Sequence, residues 1–157
     1  MKVRLLVVGK TLETSLKILE DKYTQRLVHY LHYERMDLPD VKNAGSLSSD
    51  QLKEKEGLLI LSKVGREDFF ALLDEKGDQF TSVSFSKWLE LKFLSSNKRI
   101  TFCVGGAFGF SKQVHQRADA KISLSRMTFS HQMVRTIFLE QLYRSCTLIK
   151  GEKYHHE

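Results

Sequence analysis

The sequence predicts an α/β domain with a mostly parallel sheet flanked by helices. Two observations carry that reading. Five apolar runs short enough for strands recur along 157 residues, and segments with helical spacing or helix-capping signals lie between them. Neither an internal repeat nor a low-complexity segment interrupts the alternation. In sheets of this kind, ligands sit beyond the carboxyl ends of the strands.

The first run, Val3 to Val8, stops at Gly9 and reads as a buried strand. Leu16, Leu19, Tyr23, Leu27 and Tyr30 then recur every three or four residues, which predicts an amphipathic helix over Thr14–His29. Tyr33–Leu38 is the second strand, closed by Pro39-Asp40, and Val41–Leu47 is a polar loop. Ser48 with Gln51 three residues on forms a capping-box signal for a helix reaching about Val64. Phe69–Leu73 is the third strand, and the polar string Asp74–Asp78 after it reads as a turn. A helix around Phe85–Leu94 precedes the fourth strand, Ile100–Val104, and the glycine-rich loop Gly105–Gly109. A short helix at Lys112–Arg117, a fifth strand at Lys121–Leu124 and a last helix from Gln132 to Cys146 complete the chain before a polar tail. Three loops therefore fall at strand ends, after Leu73, after Val104 and after Leu124.

Composition narrows the class. With 41% hydrophobic and 28% charged residues, the chain is of ordinary globular make-up and long enough to bury a core as one domain over residues 1–157. No run approaches the roughly 18 apolar residues that would span a bilayer. The opening run is too short for an export signal, so a cytoplasmic protein without a membrane partner is expected. In that compartment Cys103 and Cys146, far apart and outside any CxxC pair, are expected as two reduced thiols. A formal net charge of +6 favours a polyanionic partner through counterion release.

Few residues carry a chemical signal by themselves. Gly105–Gly109 follows a strand directly and would let backbone approach a ligand, or form a plain tight turn. It is not a GxGxxG fingerprint, and GxxxxGK[ST] and GxSxG motifs are absent, so dinucleotide, P-loop and hydrolase chemistries lack support. The six histidines form no metal-ligand spacing, and no metal is expected. His131 stands apart because it opens the last helix, where a neutral imidazole is favoured, although a packing role is equally open. Glu140 reads as a charge partner for Arg135 and Arg144. Tyr154-His155 in the tail joins stacking to proton-transfer chemistry.

Several segments in order resemble one family over essentially the whole chain. They are Val7–Lys10, Lys53–Gly57, Leu72–Gly77 and Phe102–Gly106. The most specific is Leu124-Ser125-Arg126-Met127-Thr128-Phe129-Ser130-His131-Gln132-Met133-Val134-Arg135, continued by Glu140–Arg144 and Gly151–His155. The chain thus resembles the ribosomal RNA large subunit methyltransferase H family, a minimal member of the SPOUT class. The resemblance implies a C-terminal trefoil knot, which composition and periodicity alone do not reveal. It also implies S-adenosylmethionine as cofactor, a homodimer, and methylation of N3 of a pseudouridine in helix 69 of 23S rRNA in the 70S ribosome. Carried over, Leu73, Gly105, Leu124, Ser125, Arg126, Met127, Thr128 and Phe129 line the cofactor pocket. His131, Arg144, Tyr154 and His155 are the catalytic candidates, with Arg135 and Arg144 available to hold phosphate or a developing N3 anion. The chain departs from the family pattern at Ser130, usually proline, and at the bulky Phe108 and Phe110 of the glycine-rich loop. The alternatives are a non-catalytic RNA- or ribosome-binding module of the same fold, and a SPOUT enzyme acting on tRNA.

Overall fold

Lys2–Val8 form the first strand, β1, and every residue after Lys2 is buried. Apolar residues in succession suit a strand covered on both faces, the situation of an interior parallel strand. The computed structural model, which describes residues 2–95 and 98–154, places β1 inside a five-stranded sheet. The other strands are β2 (His32–Leu38), β3 (Asp68–Gln79), β4 (Arg99–Val104) and β5 (Ala120–Ser123), in the order β2-β1-β4-β3-β5. Every neighbouring pair is parallel. Parallel neighbours cannot be joined by hairpins. The connections are helices α1 (Thr14–Leu27), α2 (Ser49–Lys63), α3 (Ser82–Leu94) and α4 (Lys112–Arg117), and α5 (Met133–Ile149) follows β5.

Side chains of β1 alternate between two cores. Val3, Leu5 and Val7 pack beneath α1, α3 and α5 with Leu27, Phe85 and Phe138. Leu6 and Val8 pack with Ile60 of α2 and Val114 of α4 on the opposite face. Arg4, the one charged residue of the strand after Lys2, is buried on hydrogen bonds to Glu34 and to the Lys63 carbonyl at 3.0 Å. Asp68 at the start of β3 is likewise buried. Burial pushes its pKa up, but Arg99 at 2.8 Å, the Gly65 amide and Thr101 outweigh that and hold the carboxyl below its ordinary range.

The capping box forms as expected, with the Gln51 amide donating to Ser48 Oγ at 3.2 Å and the Ser48 amide to Gln51 Oε1 at 3.0 Å. α3 begins at Ser82, earlier than the apolar spacing indicates, because the Thr81 hydroxyl caps it by accepting from the Ser84 amide. α5 continues past Cys146 to Ile149. Cys103 and Cys146 are buried free thiols, and burial pushes the Cys146 pKa up to about 12.

One element differs in kind. Asp74–Asp78, expected as a turn, is the outer half of β3. Pairing with β5 slips there, so that Leu73 and Asp78 both stand opposite Ile122. The polar residues are accommodated by a bulge rather than a chain reversal. Gly77 permits the close passage, since a Cβ there would lie 2.6 Å from the Lys121 carbonyl oxygen.

Candidate functional site

Because the strands run the same way, the outer half of β3 and the loops leaving β4 and β5 lie at one end of the sheet. They enclose a cleft of about 820 Å³. Leu73, Gly105, Leu124, Ser125, Met127, Thr128 and Phe129 line it, together with His131. Arg126 does not. It borders a neighbouring depression formed with the outer half of β3.

Short local bonds fix the loop between β5 and α5. Ser123 Oγ donates to the Ser125 carbonyl at 2.8 Å, the Met127 amide to Ser125 Oγ at 2.9 Å, and Thr128 Oγ1 to Glu75 Oε2 at 2.8 Å. Ser130, at the position where the resemblance implies proline, accepts from the Met133 amide at 3.1 Å and so satisfies a free donor at the start of α5.

The glycine-rich loop is a tight turn closed by the Gly109 amide on the Gly106 carbonyl at 3.1 Å, with Gly109 at φ +81°. A Cβ on Gly106 would meet Glu56 Oε2 at 2.5 Å, and one on Gly105 would press on the Phe110 ring at 3.1 Å. The two glycines therefore bring bare backbone to the cleft. Glu56 lies buried beneath them with Oε2 unpartnered, and burial, then the Asp40 charge, raise its pKa. Two side-chain-free positions at the end of β4, in a cleft of this volume, fit a nucleoside-sized cofactor held largely by backbone.

His131 is half-buried at the start of α5. Burial and then the charge of Arg135 lower its pKa, against an opposing effect of Asp40, so its imidazole is neutral at pH 7. The helix-end argument reaches the same direction for a different reason. Arg135, expected near phosphate, is instead fully buried. It donates to the Val8 carbonyl at 2.6 Å and to Thr11 Oγ1 at 3.0 Å, and the arginine that pairs with Glu140 is Arg144.

Arg144 and Tyr154 lie elsewhere. Arg144 is ten residues beyond Val134, which lines the cleft, and at 1.5 Å per residue this is about 15 Å along α5. Its Nε donates to Glu140 Oε1 at 3.0 Å, and its guanidinium covers the Tyr154 ring at 4.8 Å. Burial, then Tyr23, push the Tyr154 pKa up to about 12, so the phenol keeps its proton at neutral pH. This chain alone does not bring that pair to the cleft. His155 lies outside the described residues.

The cleft also holds residues that no motif singles out, namely Lys53, Lys76, His115 and Lys121. Lys53 and Lys76 fall inside segments that carry the family resemblance, but only the strand register of β3 against β5 places Lys76 and Lys121 on one rim. Among the described residues, no His, Cys, Asp and Glu group is arranged to hold a metal, and no helix is long and apolar enough to cross a membrane.

A family model described as "Predicted SPOUT methyltransferase" matches residues 1–155. The chain is 50% identical over 157 residues to a protein of Parabacteroides distasonis, covering all of both chains. It is 51% identical over 156 residues to one of Cytophaga hutchinsonii, covering 99% of this chain and all of the relative. A protein of Christiangramia forsetii is 50% identical over 156 residues, 99% of each chain. All three relatives are named ribosomal RNA large subunit methyltransferase H.

Proposed function

The chain belongs to the SPOUT methyltransferase family, and from that premise we propose that it methylates N3 of a pseudouridine in helix 69 of 23S rRNA, on the assembled ribosome, with S-adenosylmethionine as donor. The observation that carries this reading is the cleft itself. The outer half of β3 and the loops after β4 and β5 converge on one cavity, with the His131 imidazole at its edge.

When bound, the cofactor supplies an electrophilic methyl group on a sulfonium. This chain's residues have three tasks. The Leu124–Phe129 loop and the glycines at the end of β4 hold and orient the donor, which converts a bimolecular encounter into an aligned displacement. His131, uncharged at pH 7, has a nitrogen lone pair free to accept the N3 proton as the nucleophile forms. Arg144 stabilises the developing anion, as a fixed guanidinium does at low cost in reorganisation.

That last task requires a second copy. With Arg144 and Tyr154 about 15 Å along α5 from the cleft, a homodimer would deliver the partner's tail to each site. The trefoil knot of the family gives the fixed C-terminal path for such an exchange.

The test is methyl transfer from labelled S-adenosylmethionine to ribosomes lacking the modification, with intact 70S particles, free 50S subunits and bulk tRNA run in parallel. The product nucleoside is mapped by mass spectrometry. Label on a helix 69 pseudouridine, strongest in 70S particles, is the expected result. Label confined to tRNA would overturn the substrate, and absence of both label and cofactor binding would overturn the enzyme reading.

A further inference from the structure

The glycine-rich loop carries an exposed aromatic side chain over the cleft mouth. Phe108 occupies the third position of the Gly106–Gly109 turn, lines the cleft and is 56% exposed, while Met127 across the mouth is 77% exposed. A phenylalanine left in water on a tight, hydrogen-bonded turn adds nothing to the core. It is, however, preorganised to receive a flat apolar partner.

The surrounding charge specifies what kind of partner. Lys76 and Lys121 lie on the same rim, both exposed, and neither forms an ion pair with another described residue. The rim carboxylates Asp74 and Glu75 pair with neither ammonium. Glu75 accepts from Thr128, and Asp74 accepts from the Lys76 amide at 2.9 Å and faces His115 at 3.8 Å. The mouth thus offers one aromatic face beside two ammonium groups that have no ion-pair partner among the described residues. An unpaired nucleotide presents the complement, a π-face and a phosphate on one strand.

We propose that Phe108 is a stacking platform for an unpaired base of the RNA substrate, and that Lys76 and Lys121 hold phosphates of the same strand. This rests on the RNA-methyltransferase reading and specifies how substrate enters that site.

The experiment compares wild type, Phe108→Ala, Phe108→Trp and the Lys76→Gln/Lys121→Gln double variant in three measurements. These are co-sedimentation with 70S ribosomes across a salt series, KM and kcat for methyl transfer, and S-adenosylmethionine affinity by calorimetry. Phe108→Ala should weaken ribosome binding and raise KM by about 10- to 100-fold, with Phe108→Trp near wild type. The lysine double variant should reduce the salt slope of ribosome binding by about 1.5. Cofactor affinity should be unchanged in all of them.

Unchanged ribosome binding in Phe108→Ala overturns the proposal. So does a loss of cofactor affinity, which would assign Phe108 to the donor site, or a change in oligomeric state alone, which would assign the patch to a second copy. Ribosome binding that depends on Phe108 in a protein that transfers no methyl group would remove the enzymatic reading and leave the platform standing.

Discussion

The two ends of α5 are built on opposite principles. At its start, Arg135 is fully buried and ties the helix to the end of β1 through the Val8 carbonyl and to Thr11. The Thr11 hydroxyl donates to Glu20 of α1 and accepts from Arg35 of β2, which also pairs with Glu20. Four elements therefore meet in one desolvated network. At the other end, Arg144, Glu140, Tyr143 and Tyr154 meet through an i,i+4 ion pair and ring contacts that remain partly exposed. A buried network resists rearrangement because breaking it strands a charge, whereas a half-solvated cluster can exchange partners at little cost. The first end holds His131 against the cleft. The second remains partly exposed, as the proposed contribution to a partner's site requires.

The largest expected effect comes from breaking this contrast. Arg135→Ala leaves the Val8 carbonyl and the Thr11 hydroxyl without their donor and opens a buried void, and should cost about 2–4 kcal/mol of stability. For a chain of this length that lowers Tm by roughly 10 °C in calorimetry. Arg144→Ala should cost under about 1 kcal/mol yet depress methyl transfer strongly. Equal Tm losses in the two variants would show that the ends do not differ in the way described.

Truncation sharpens the same contrast from the solvated end. Removing everything after Gly151 takes away Tyr154 and should abolish transfer while sparing dimer formation, checked by light scattering beside the labelled-donor assay. Full activity in the truncated chain would remove Tyr154 and the residues after it from the reaction.

The two ends are unequally legible in the sequence. Helix and strand positions follow from spacing and caps: the Ser48/Gln51 box marks the start of α2, and α4 coincides with Lys112–Arg117. The convergence of the loops after Val104 and Leu124 on the Leu73 end of the sheet follows from the parallel order, although the residues after Leu73 are strand and not loop. The burial of Arg135 does not, because a guanidinium reads as surface unless its partners are known, and Val8, Thr11 and Glu20 are more than a hundred residues away. The outer half of β3 escapes a local reading for a related reason. Asp and Gly signal a turn locally, and only pairing with β5 makes the same residues a bulged strand. The rim lysines are invisible because no motif fixes their spacing. Glu56 sits in a segment that marks the family, yet its place under Gly106 depends on contacts between α2 and the loop after β4.

The smallest effect tests how the rigid end tunes His131. Burial and Arg135 hold its pKa below the ordinary imidazole value of about 6.5, while Asp40 works the other way. The stability linked to the neutral ring is complete above about pH 6.5 and is lost as pH falls through the lowered folded-state pKa, because charging the ring is then penalised in the folded protein alone. Transfer that uses the neutral ring should accordingly persist below about pH 6.5 and decline only further into acid. Asp40→Asn removes the one opposing charge and should move the acid limb of the kcat profile down by roughly a few tenths of a pH unit. His131→Gln should abolish that limb along with most of the activity. An acid limb that moves upward in Asp40→Asn, or that survives in His131→Gln, would assign the titrating group to another residue.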